Sequence, residues 1–148
     1  AHSKFIPGYI ELGMANRNPI MMFRLNELGW RLAGLDGAAA KVAAKMVAQM
    51  EEAGMPLLDH MFMMNLEKPE DRLEQVMAAL KKTKPGVTHF IIHPSADTPE
   101  LRAICPDWRC RVADYQTFQD KRLRTFIKNS GLTVIGYRDL QALMPNQL

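Results

Sequence analysis

Short apolar runs alternate along the chain with segments whose apolar residues recur every three or four positions. Ile20, Met21, Met22 and Phe23 form one such run, which suits a buried strand of a parallel sheet. Residues 8–17 and 26–33 have room for short helices around it. The clearest helix covers 37–53. Asp36 can cap it by accepting from free backbone N–H groups, Val42, Met46, Met50 and Ala53 make its stripe, and Gly54 suits the position just past its end. A second strand is expected from Leu57 to about Met61. Pro69 then opens a helix at its first turn, with Leu73, Val76, Met77 and Leu80 facing inward. A third strand is expected over 87–92. Thr98 and Pro99 open a short helix that Pro106 closes. Residues 112–129 form one long or two abutting helices, with Tyr115, Phe118, Leu123, Phe126 and Ile127 inward. A fourth strand over 132–135 and a last helix over 138–143 complete the pattern. Such alternation predicts an α/β fold of parallel βα units with right-handed crossovers.

Composition fits that reading. The chain has 148 residues, 47% hydrophobic and 24% charged, as in globular proteins. That excludes a disordered, collagen-like or disulfide-stapled chain. No run of about 18 apolar residues occurs, and no basic-then-apolar leader opens the sequence, so no membrane partner is expected. The net charge of +3 is mild. Its densest basic cluster, Lys121, Arg122, Arg124 and Lys128, falls on a helix with no aromatic platform beside it. It reads as a solvated face, and no nucleic-acid partner is expected. Cys105 and Cys110 lack further zinc-type ligands at suitable spacing and read as reduced thiols of a cytoplasmic protein. Met21, Met22, Met46, Met50, Met61, Met63 and Met64 read as core filler among eleven methionines.

The chemistry-bearing residues are best sought at the carboxyl ends of the strands, where sites of α/β folds form. On this pattern the second strand ends at Asp59-His60, the third at His93-Pro94 and the fourth at Gly136-Tyr137-Arg138. Histidine is the usual metal ligand and proton carrier near neutral pH. Two histidines and a carboxylate at neighbouring strand ends suit metal-assisted hydrolysis. The alternative for Asp59-His60 is a strand cap bonded to loop backbone. His89, mid-strand, reads as a hydrogen-bonded interior histidine. Asp97, Asp107 and Arg109 follow His93 and either line the site or, for Asp107, pair with Arg109 or Arg111. Trp108 either covers apolar surface or stacks on a sugar ring.

The run from Thr88 through His93-Pro94, an acidic loop, Glu100-Leu101-Arg102, then Asp107-Trp108-Arg109, and finally 131–140 ending in Gly136-Tyr137-Arg138-Asp139-Leu140, resembles the carboxyl-terminal part of the YdjC-like (ChbG-like) carbohydrate deacetylases, relatives of the polysaccharide deacetylases. Tyr9-Ile10-Glu11-Leu12 and Pro19-Ile20-Met21-Met22 resemble the middle of such proteins. The resemblance implies a distorted (β/α) barrel, a divalent metal (Zn or Mg) held by one Asp and two His, and removal of N-acetyl groups from amino sugars or oligosaccharides. On it, His60 matches the later metal-binding His, with Asp59 beside it. His93 matches the family's His-Pro residue near the catalytic centre; from their place in the loop after it, Asp97, Trp108 and Arg109 are the candidate substrate-binding residues. Ser95 follows Pro94 where the family continues with Gly. The family's paired aspartates and its earlier metal-binding His have no counterpart in this chain, so it is expected to hold a metal poorly by itself.

The expectation is therefore a metal-dependent carbohydrate deacetylase. The alternatives are a noncatalytic α/β module that binds a ligand or partner through the same surface, and another metal-dependent barrel hydrolase. The chain begins with Ala, and four βα units make about half of a barrel that typically needs about 250 residues. Residues 1–148 are thus expected to be one domain, the carboxyl-terminal part of a longer barrel. Its open edges and apolar faces would be covered in a homo-oligomer.

Overall fold

A computed structural model describes residues 5–145. It is a mixed α/β structure rich in helix, with eight helices and two parallel strands among the described residues. The chain divides into two compact units, one made of residues 1–59 with 135–148 and the other of residues 60–134.

The first unit contains α1 (Ile6–Ala15), α2 (Glu27–Leu32), α3 (Gly37–Glu52) and α8 (Tyr137–Leu143). Asp36 caps α3 as its sequence predicts, accepting from the Ala39 N–H at 2.8 Å, and Gly54 adopts a φ of +83° just past its end. Val47 and Met50 of α3 pack with Ile10, Ile20, Met22, Met55, Leu57 and Met144 in one core. α1 lies so close to Ile20 that a Cβ at Gly13 would run into its side chain, which is why a glycine is tolerated in mid-helix there. The expected first strand is reduced to a single parallel bridge between Phe23 and Leu58, with Met21 exposed rather than in the core. Arg17 and α8 are tied together. The Arg17 guanidinium donates to the Met144 carbonyl at 2.9 Å, and Gln141 donates to the Arg17 carbonyl at 2.8 Å.

The second unit is built on β1 (His60–Met63) and β2 (Thr88–Ile91), paired in parallel with His60 opposite Thr88 and Met63 opposite Ile91. α4 (Arg72–Lys81), α5 (Pro99–Ile104), α6 (Trp108–Gln119) and α7 (Lys121–Asn129) surround it. Side chains alternate between the faces of a strand. Met64, Phe90 and Ile92 share one face and pack against Leu73, Val76, Leu80, Phe118, Leu123 and Phe126 of the helices. Phe62 lies on that face too, stacked on Phe90 with centroids 5.0 Å apart. The opposite face carries Met61 and Met63 beside His89 and Ile91. It is open, with Met61 57% and Met63 58% exposed, so these two methionines are not the core filler their pattern predicts.

Three expected boundaries move. α4 starts at Arg72, not at Pro69, because Glu70 and Asp71 form a turn with Asp71 in the left-handed region at φ +51°. Residues 112–129 belong to two abutting helices, with Asp120 capping the second and Tyr115 facing outward. Residues 132–135 form no strand. They pair with no ladder among the described residues, and Val134 is 77% exposed. β propensity alone does not make a strand without a neighbour to bond to.

Candidate active site

β2 leads through Ile92 into His93 at its carboxyl end. The His93 backbone N–H donates to Asp114 Oδ2 of α6 at 2.9 Å. Asp114 Oδ1 in turn accepts from Arg72 Nε of α4 at 2.6 Å. Both side chains are sealed from water, at 2% exposure for Arg72 and 0% for Asp114. Arg72 also donates to the Asn65 carbonyl (2.7 Å), the Lys68 carbonyl (3.3 Å) and Gln75 Oε1 (3.4 Å). One buried ion pair thus ties the exit of β1, at Asn65, and the exit of β2, at His93, to two helices. The Ser95 N–H extends the attachment by donating to the Arg111 carbonyl at 3.2 Å. In contrast to this bonded frame, His93 Nδ1 is buried and has no hydrogen-bond partner.

The two histidines expected at neighbouring strand ends are not neighbours. β1 begins, rather than ends, at His60. In the parallel register His60 sits opposite Thr88, five positions before His93, so the two lie roughly 16 Å apart along the sheet at ~3.3 Å per residue. His60 Nε2 bonds to the Pro85 carbonyl at 3.1 Å, and because a carbonyl only accepts, that nitrogen carries the proton. The frame shift has a physical cause. The buried Leu57-Leu58 pair reads as strand, but Leu58 bonds to the Met22 carbonyl and to the Arg24 N–H, while the ladder with β2 starts two residues later. Asp59 belongs to the first unit and pairs with Arg24, which also holds Glu51 at 2.7 Å.

The three expected substrate residues fall in one cluster through a fourth, Arg102 of α5. Arg102 clasps Asp97 with two bonds of 2.7 and 2.6 Å. That pairing holds the Asp97 carboxyl below its usual range. The Arg102 and Arg109 guanidiniums lie 4.8 and 4.6 Å from the centroid of the Trp108 ring. The indole is thus a platform already in contact with two cations. Asp107 takes Arg111, not Arg109, at 2.9 and 3.1 Å, and those bonds bring its carboxyl down to about 2. Its Oδ1 also accepts from the Cys105 thiol at 2.7 Å, which pushes that thiol up; burial does the same to Cys110.

Among the described residues no three His, Cys, Asp or Glu side chains converge to hold a metal ion. The His60 ring bonds to the Pro85 carbonyl and lies at the opposite end of the ladder from His93, so these two histidines do not form a shared cation site. Among the described residues too, no helix is long and apolar enough to cross a membrane. No family model and no curated protein matches the chain.

Arg72 and Asp114 are the residues that sequence reasoning missed. The available signal was register. Arg72 is one turn before Val76, and Asp114 lies one turn after Cys110 and one before Thr117, all three of these neighbours buried. A charge placed on an apolar stripe is a sign of a buried partner.

Proposed function

We propose that the chain is the carboxyl-terminal part of a (β/α) barrel of the carbohydrate-deacetylase kind, acting on N-acetylated amino sugars. The observation that carries the reading is His93: a histidine at the carboxyl exit of a parallel strand, with its backbone clamped and a ring nitrogen buried without an internal partner. The one-sided helix packing of the β1–β2 pair supports the barrel. A barrel turns one sheet face to its helices and the other to its lumen, and here Phe90 and Ile92 meet helices while Met61 and Met63 do not.

In this reading a water adds to the acetamide carbonyl carbon, and as the tetrahedral centre collapses to acetate with cleavage of the C–N bond, His93 gives a proton to the leaving amine nitrogen. Trp108, flanked by Arg102 and Arg109, offers a surface for a sugar ring beyond it. The chain supplies the proton-donating side of such a centre and not its cation ligands, and His60 has no part in it.

The test is acetate release from short N-acetylated chitooligosaccharides by the chain extended at its amino end with the residues that would carry the cation ligands, with and without added Zn or Mg. Release by the extended chain that His93→Ala abolishes is the expected result. No release, or full release by His93→Ala, would return the chain to the noncatalytic reading, a module binding its ligand at the same strand exits.

A further inference from the structure

We infer that Asp114 is a positioning residue for His93 and that the Arg72–Asp114 pair is the device setting the imidazole in place. This rests on the reading of His93 as the proton carrier. The pair is costly to bury: taking a guanidinium and a carboxylate out of water carries a large desolvation penalty, and apolar side chains of similar volume often serve a core as well. Here the contacts are aimed at backbone rather than at one another alone. Asp114 uses one oxygen on Arg72 and the other on the His93 N–H, while Arg72 reaches the Asn65 and Lys68 carbonyls. A hydrophobic pair could fill the same volume but could hold neither strand exit. The His93 side chain has no bond of its own at Nδ1, so the direction of its ring depends on how its backbone is held. The following residues do little to fix it, since Pro94 has no N–H to give and Ser95 bonds to the Arg111 carbonyl and, through its hydroxyl, to the carbonyl of Ala96.

The consequence separates position from stability. Two double variants share the neutral replacement of Arg72 and differ only at the contact with His93. Arg72→Met/Asp114→Asn keeps a side-chain oxygen for the His93 N–H; Arg72→Met/Asp114→Leu removes it. In the first, His93 amide exchange and its imidazole 13C signal should match wild type. In the second, with the fold kept as judged by circular dichroism, the amide should exchange roughly tenfold faster or more and the imidazole signal should move to the position of a freely averaging ring. Identical His93 exchange and imidazole signals in both folded variants would overturn the inference. The wild-type chain gives an independent reading that needs no variant to fold. Its His93 amide should exchange with the slowest class, alongside the buried turns of α4, and fast exchange there would also overturn the inference. These readouts do not use acetate release. A chain with no deacetylase activity but a clamped His93 ring would sink the functional reading alone, whereas an active chain with an indifferent His93 ring would sink this one alone.

Discussion

The two ends of the β1–β2 ladder are built differently. At the amino end His60, Thr88, Lys82 and Lys84 border an open hollow. The His60 ring bonds to the Pro85 carbonyl, and Thr88 Oγ1 is buried with no partner. At the carboxyl end the backbone at His93 and Asn65 is held by a pair of charges with almost no exposure. A sheet of two four-residue strands is too small to be rigid by itself. The rigidity at its carboxyl end comes from charged groups brought in by α4 and α6, and that is the end at which α/β proteins place their chemistry.

The sharpest break of this contrast is Asp114→Ala. It leaves the Arg72 guanidinium buried without its counter-charge and should cost about 3–5 kcal/mol in chemical denaturation. A loss below about 1 kcal/mol would mean that the carboxyl end is no more firmly built than the surface.

At the amino end the sign should reverse. Thr88→Val replaces an unpartnered buried hydroxyl with a methyl group and should stabilise the chain by about 1 kcal/mol. Destabilisation would show that the hydroxyl has a bonding role.

The smallest effect concerns Asp107 in the first turn region of α6. Its carboxyl is lowered from 3.8 to about 2, chiefly by the bonds from Arg111. A lowered carboxyl contributes stability that is fully present above its unfolded value and is lost as pH falls through the folded one. The stability gap between wild type and Asp107→Asn should therefore be constant above about pH 5, shrink between about pH 4 and pH 2, and be gone below. A gap that does not change over that range would dissociate the carboxylate from the Arg111 contact.

Much of the helical framework was legible in the residues. Asp36, Thr98 and Pro99 announce helix starts by chemistry that acts within one turn, and Thr98 Oγ1 accepts from the Leu101 N–H at 3.2 Å as such a cap should. The strands were less so, because a ladder depends on a partner that periodicity does not name. Val87 to Ile92 read correctly since β2 is flanked on one side by β1, whereas 132–135, equally β-branched, has no neighbour among the described residues. The candidate site was half visible. His93 stood out by its place before Pro94, and Asp97, Trp108 and Arg109 do assemble, with Arg102 as the unforeseen link. The partnership of Arg72 with Asp114 was not visible, since it joins residues far apart in sequence and charged residues on helices ordinarily face water.

The most direct test of the functional contrast between the two ends is acetate release by His93→Ala beside His60→Ala, each made in the amino-terminally extended chain and checked to be folded. The account predicts that His93→Ala loses activity by about 100-fold or more, as removal of a general acid does, while His60→Ala keeps the wild-type rate. Equal losses in the two variants, or a loss confined to His60→Ala, would contradict it.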